Sequence, residues 1–467
     1  MIALRIAALA VILTLSGGIV ARAQPPAAPA AAPADERLDE LERQIEALRA
    51  EIAALEASRG TGGGAGDGDQ LVELERRIDL LAAELERLQL GEAAARADRS
   101  QYGMGPAASK VYRVAEGLSL GGYGEMIYQG IASERDDGVA AGRKDRLDFL
   151  RGIVYVGYKF DDKWLFNSEI EFEHASTGKS GEASVEFAYL DYLWRPELGF
   201  RTGLLLVPMG FVNELHEPVV FLGANRPATE RVIIPSTWRE NGLGLFGEAG
   251  DLTYRAYLVN GFDAAGFSAG GLRGGRQKGS EALAEDFALV GRVDYAPTPG
   301  VLVGGSVYQG DSGQGLADPA GGTLEVSTRI FELHGELGWR ALHLRALAAW
   351  AELDDVAGLN RARGLTGSAS VGEELQGWYL EAGYDVLSRF AGGRAALTPF
   401  VRWEQLNTQR AVPAGFAASG ASDQEILTLG LDFKPIPNVV FKADWQDVDH
   451  AAGTGIDQWN LGMGYVF

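Results

Sequence analysis

The residues best placed to do chemistry in this 467-residue chain are the charges and the histidine gathered between positions 201 and 292. One unbroken stretch, PMGFVNELHEPVVFLGANRPATERVIIPST (208–237), carries Glu214, His216, Glu217, Arg226, Glu230 and Arg231. Arg201 precedes it; Arg239, Arg255 and Arg292 follow. Opposed carboxylates and guanidiniums of this kind orient and sieve charged solutes when they line a narrow passage. The patterns usually associated with catalysis are weaker. Gly117-Leu118-Ser119-Leu120-Gly121 matches the nucleophile-elbow spacing G-x-S-x-G, but Ser119 enters a strand pattern where a strand–turn–helix is required. His174, His216, His334, His343 and His450 have no spacing that specifies zinc. The glycines of 60–68 follow a helical segment, which removes a dinucleotide-binding reading. Asp136-Asp137 and Asp354-Asp355 could attract Ca²⁺, with solvated loop charge the simpler reading. The expectation is a non-enzymatic protein without cofactor or metal.

The elements that position these residues are strands. The last eleven, DQWNLGMGYVF, alternate strictly: Trp459, Leu461, Met463, Tyr465 and Phe467 share one face. From residue 118 onward sixteen such strands can be drawn, from 118–129 to 457–467. Their connections alternate between short (Asp161-Asp162, Pro196-Glu197, Gly250) and long (130–145, 208–237, 263–283, 354–374). An even strand count with short turns at one end and long loops at the other is the pattern of an all-β transmembrane barrel of antiparallel strands. A soluble sandwich gives no reason for it.

Alternation also assigns the faces. In WLFNSEIEFE, Trp164, Phe166, Ile170 and Phe172 oppose Asn167, Glu169, Glu171 and Glu173. A charged side chain facing lipid at the bilayer midplane costs about 2–4 kcal/mol for Arg or Lys, so charge belongs inside. The same parity turns Arg201, Arg255, Arg292, Arg345 and Arg402 inward. The 208–237 connection is both the longest and unusually apolar (Phe211, Val212, Phe221, Ile233, Ile234). Exposed, it would be a liability; folded into the barrel it becomes a constriction. Packing against a neighbouring subunit is the alternative.

Residues 1–23 read as a signal peptide with an Ala21-Arg22-Ala23 cleavage site, and 24–34 as a Pro/Ala spacer. In 35–90, Leu38, Leu41, Ile45, Leu48, Ile52 and Leu55, then Leu71, Leu74, Ile78, Leu81, Leu85 and Leu88, follow coiled-coil spacing. A glycine-rich joint at 58–69 separates the two runs. A dimer, a trimer and an intrachain hairpin all satisfy that pattern, which predicts a periplasmic α-helical coiled coil ahead of the barrel. Residues 91–117 read as a linker. A net charge of −22 argues against nucleic acid as partner, and zero cysteines exclude disulfides and thiol-linked lipids.

RTGLLLVPMGFVNELHEPVVFLGANRPATERVIIPSTWRENGLGLFGE (201–248) resembles the phosphate-selective porin O/P superfamily: a strand entering a Pro-x-Gly turn, a long loop, and a strand opening with Arg-Glu-Asn-Gly. The terminal Tyr465-Val466-Phe467 is similar to the C-terminal signal read by the barrel-assembly machinery. The resemblance implies a trimeric barrel in outer-membrane lipid that passes small hydrophilic solutes, anions among them. The inward set departs from an anion ladder, with nine basic residues against twelve acidic ones, so phosphate selectivity is not carried over. A structural tether, joining the envelope to the cell wall through the coiled coil, is the alternative expectation.

Overall fold

The computed structural model describes residues 43, 44, 47, 48, 52, 74, 100–178, 181–389 and 395–467. The chain divides into two compact units, Met1–Leu88 and Gln89–Phe467. In the first, the six described residues are helical. The rest of the predicted coiled coil, with the signal peptide and the spacer, lies outside the described residues.

The second unit contains sixteen antiparallel strands in sequence order, closed by pairing of the first with the last. They are β1 Gly117–Ile131, β2 Arg146–Lys159, β3 Trp164–Glu173, β4 Ala183–Arg195, β5 Leu198–Leu206, β6 Arg239–Ala249, β7 Leu252–Asn260, β8 Phe287–Thr298, β9 Val301–Gly310, β10 Thr328–Trp339, β11 Leu342–Leu353, β12 Glu374–Tyr384, β13 Ala396–Ala411, β14 Asp423–Ile436, β15 Val439–His450 and β16 Gln458–Val466. Every strand begins or ends within a few residues of the alternation read from sequence, because the turns are marked by Gly, Pro and Asp. Closure leaves no free edge, so away from the bulges the ladder amides are paired inside the wall.

The seam pairs Tyr123 with Val466 and Gln129 with Asn460. Phe467 extends it by exchanging backbone bonds with Gly122 (3.1 and 2.9 Å). A Cβ at Gly122 would lie 2.8 Å from the Phe467 ring, and one at Gly124 2.5 Å from the Tyr465 ring. The two terminal aromatics therefore lie over glycines of the neighbouring strand and close the gaps left there. The outer face is apolar as alternation requires: Trp459 is 65% exposed, Leu461 56% and Phe172 48%. The inner face carries the polar residues, Asn167, Glu169 and Glu171 among them, buried against what fills the barrel.

Two of the segments that pack inside it bear on the site. The connection between β5 and β6 folds inward. It includes one short helix, α1 (Ala228–Val232), and buries Phe211, Val212, Phe221, Ile233 and Ile234. A second short helix, α2 (Val356–Ala362), lies in the connection after β11. The other filling segment is residues 101–114, part of the stretch read as linker. Its single 3-10 turn, Ala108–Tyr112, is buried throughout, and Met104, Ala107 and Val114 are buried with it.

Candidate functional site

The connection between β5 and β6, the third of the long connections and called the third connection below, is held across the barrel by hydrogen bonds to the far wall. The Gly223 and Ala224 amides donate to Asp432 (3.1 Å) and Asp444 (2.6 Å), and the Thr229 amide to Glu404 (3.0 Å). In return Lys442 donates to the Phe221 and Gly223 carbonyls (2.7 and 2.9 Å), Lys434 to Val219 (2.7 Å) and Arg402 to Leu222 and Asn225 (3.1 and 3.0 Å). Wall charges thus satisfy the backbone of a loop that has no ladder of its own. A buried amide or carbonyl without a partner is costly, which accounts for this use of inward Arg, Lys and Asp. The loop's root adds a dry contact: Trp238 stacks on Phe262 with centroids 4.4 Å apart, beside Tyr308 at 4.9 Å.

The ten charged positions read from sequence separate into groups. Arg201 sits on β5 in a bidentate pair with Asp191 (2.8 and 3.0 Å) and faces the rings of Tyr189 and Phe246. Arg255 and Arg292 share Asp294 (2.7 and 2.9 Å) and approach Glu214 of the loop at 3.3 and 3.8 Å. His334 joins the same knot through Asp294 (2.8 Å) and Glu332 (2.6 Å). Arg239 pairs with Glu186 (2.6 Å), and His216 with Glu169 (3.1 Å). Glu230 accepts from the Val212 amide and the Tyr379 hydroxyl, both 2.7 Å. Burial pushes its carboxyl above the ordinary range, against both hydrogen bonds. Arg226 is half-buried and donates to the His216 carbonyl (3.2 Å), while Arg231 is exposed. Eight of the ten are therefore buried; Arg226 and Arg231 are the two that meet water.

Glu217 has a different partner. It accepts from the Ala107 and Ala108 amides (2.9 and 3.3 Å), so the loop holds the start of the 3-10 turn of the N-terminal segment. Burial raises the Glu217 carboxyl to about 7, partly offset by those two amides. A Cβ on Gly105 would come within 2.4 Å of the same carboxylate, so the contact requires glycine there. The segment's other end is fixed by the Tyr112 hydroxyl, which meets Tyr189 (2.8 Å), Asp191 (2.8 Å) and Arg201 (2.7 Å). Asn167 donates to the Ala108 carbonyl (3.0 Å) and Lys159 to that of Val114 (2.9 Å). Between the segment, the loop and the β6–β9 wall lies a cavity of about 230 Å³, bordered by Tyr102, Phe211, Glu214, Arg255 and Asp294.

Sequence reasoning missed this segment, and it missed Glu186 and Asp191. Glu186 points inward because a bulge sets Glu169 opposite Phe187 and Ile170 opposite Val185, which breaks the parity along β4. The segment left one sign, a run of apolar and small residues (Met104, Ala107, Ala108, Val111, Tyr112) where a solvated linker would be polar. Ser119 of the G-x-S-x-G match lies buried within β1, with no strand-to-helix turn around it. The pattern there is a strand sequence.

No family model matches the chain. A curated relative, an uncharacterized protein of Aquifex aeolicus (strain VF5), is 36% identical over 393 residues, covering 82% of this chain and 87% of the relative. Among solved structures, the chain is similar to outer-membrane expressed OmpT of Vibrio cholerae, at 11% identity and a TM-score of 0.47, covering 76% of this chain and 98% of that one. It is also similar to an anion-selective porin from Comamonas acidovorans, at 12% identity and a TM-score of 0.47, covering 75% and 99%.

Proposed function

The chain belongs to the same family as the Aquifex aeolicus protein, and we propose that it is an outer-membrane porin passing small hydrophilic solutes by diffusion. The observation that carries this reading is a closed wall of sixteen strands, greasy outside and charged inside. An apolar exterior of that kind is stable in lipid, and a cylinder with all amides paired is one of two backbone forms that span a bilayer. In this reading the third connection is the constriction. Arg201, Arg255 and Arg292 act mainly as its struts, since their charge is matched by Asp191, Asp294 and Glu214. Arg226 and Arg231 are the charges a solute meets, and they favour anions. Homotrimer formation and delivery by the barrel-assembly machinery through Phe467 complete the proposal.

Planar-bilayer recording tests it. The purified protein gives discrete current steps, and reversal potentials in a salt gradient favour the anion. Leu206 and Arg239 are register partners, so a short turn can replace the residues between them without disturbing the wall. That variant gives larger steps. A protein silent at every voltage, with the loop present or replaced, ends the porin reading. Equal steps before and after replacement end the constriction.

A further inference from the structure

Beside the third connection, the inner wall and the connection itself together gather more negative charge than the nearby arginines match. Glu125, Glu169, Glu171, Glu186 and Glu217 are all buried. Against these five stand Arg151, which approaches Glu125 and Glu171 at 3.3 and 3.7 Å, Arg239 on Glu186 at 2.6 Å, and Arg226, bound to the His216 carbonyl.

One ligand atom each from Glu169, Glu186 and His216 falls within 4.8 Å of the others. His216 Nε2 is 3.1 and 3.2 Å from the two Glu169 oxygens, close to the spacing of neighbouring ligands around one small cation. The ring is oriented for this. His216 Nδ1 faces the Asn213 carbonyl at 2.9 Å, which can only accept, so Nδ1 carries the proton and Nε2 is left as donor atom to a cation. Two further oxygens at the site lack partners. The hydroxyl of Tyr123, a residue 1% exposed, makes no hydrogen bond, and its ring stands edge-on to His216 with centroids 6.2 Å apart. Glu169 is the strongest charge acting on it. Glu217 Oε2 is likewise buried and unbonded.

We propose that Glu169, Glu186 and His216 bind one divalent cation of the Zn²⁺ or Mn²⁺ class, with Tyr123 and Glu217 at its margin. Mixed imidazole and carboxylate ligands suit those ions. The cation joins β3 and β4 to the third connection, two residues from the loop's turn at Pro218 and directly beside the contact that holds the N-terminal segment. It thereby sets how deep the loop sits. The competing account is metal-free: His216 is an imidazolium on Glu169.

The full-length protein, purified from membranes in detergent, is loaded separately with Zn²⁺ and Mn²⁺ and desalted. Heat-modifiable electrophoretic migration shows that it remains folded. The expected result is about one equivalent of metal per chain by elemental analysis, with a single-imidazole ¹⁴N coupling in pulsed EPR of the Mn²⁺ form. His216→Gln loses the nitrogen coupling and at least tenfold in metal retention; Glu169→Gln loses retention alone and stands in if the first variant does not fold. A folded parent chain that retains neither metal overturns the proposal. So does bound Mn²⁺ without nitrogen coupling, or coupling undiminished in folded His216→Gln.

Discussion

Replacing Tyr112 by Phe removes one oxygen and tests whether residues 101–114 are a docked segment with its own equilibrium. The hydroxyl makes three short contacts, to Tyr189, Asp191 and Arg201 at 2.8, 2.8 and 2.7 Å. Two of these partners are charged, and hydrogen bonds to charged groups contribute about 1.5–3 kcal/mol. The Asp191–Arg201 pair survives the change, since it is bidentate in its own right. A loss of about 2 kcal/mol is therefore expected, which raises the undocked population roughly 30-fold at 1.4 kcal/mol per decade. The chain has no cysteine, so Ser109→Cys supplies a single reporter at a fully buried position of the segment. Maleimide labelling in reconstituted vesicles reads the population directly when docking is fast relative to reaction. Tyr112→Phe on the reporter background labels roughly 30 times faster than the reporter alone. A ratio below about 3 refutes the reasoning, because Tyr112 would then not be an anchor.

Two other outcomes follow from contacts already described. Glu230 has a folded pKa raised by burial, so the folded state holds its proton at pH values where a solvated carboxyl has lost it. Loop docking is then strongest at acid pH and weakens as pH rises from the ordinary carboxylate range through the raised value; Glu230→Gln reduces that slope in protease accessibility of residues 210–235, and the buried carboxyls of Glu214 and Glu217, raised in the same direction, carry the remainder. Leu461 lies mid-strand on the outer face of β16, and Leu461→Arg costs about 2–4 kcal/mol in a bilayer-based unfolding titration, against a small change for a substitution at the exposed turn residue Asp162.

The wall was legible in the sequence because its rule is local. Alternation fixes the face of Trp459 or Glu169 from near neighbours alone, and Gly, Pro and Asp mark each reversal. The rule failed at Glu186, where one bulged residue shifts the phase and leaves no local trace. The interior was less legible. That the third connection turns inward followed from its apolar content, but its partners lie up to 221 positions away, as in the bond from Lys442 to Phe221. No spacing in the chain announces such a pair. The same distance hides the meeting of Glu169, Glu186 and His216, which the histidine pattern gave no reason to expect. The N-terminal segment was hidden differently: its side chains are those of a core, but it carries no periodic pattern, so it read as connection.

The seam between β1 and β16 bears on how the cylinder comes to exist. Tyr123 and Val466 are 343 positions apart (466 − 123), whereas Tyr123 and Ile153, on the other side of the same strand, are 30 apart (153 − 123). For flexible chains the entropy of bringing ends together grows as the logarithm of that separation, which makes the first meeting costlier than the second by about 2 kcal/mol. Neighbouring hairpins zip before the two ends find each other, and until then two strand edges stand open. The final aromatic pair, seated over Gly122 and Gly124, acts as the latch that ends this vulnerable interval.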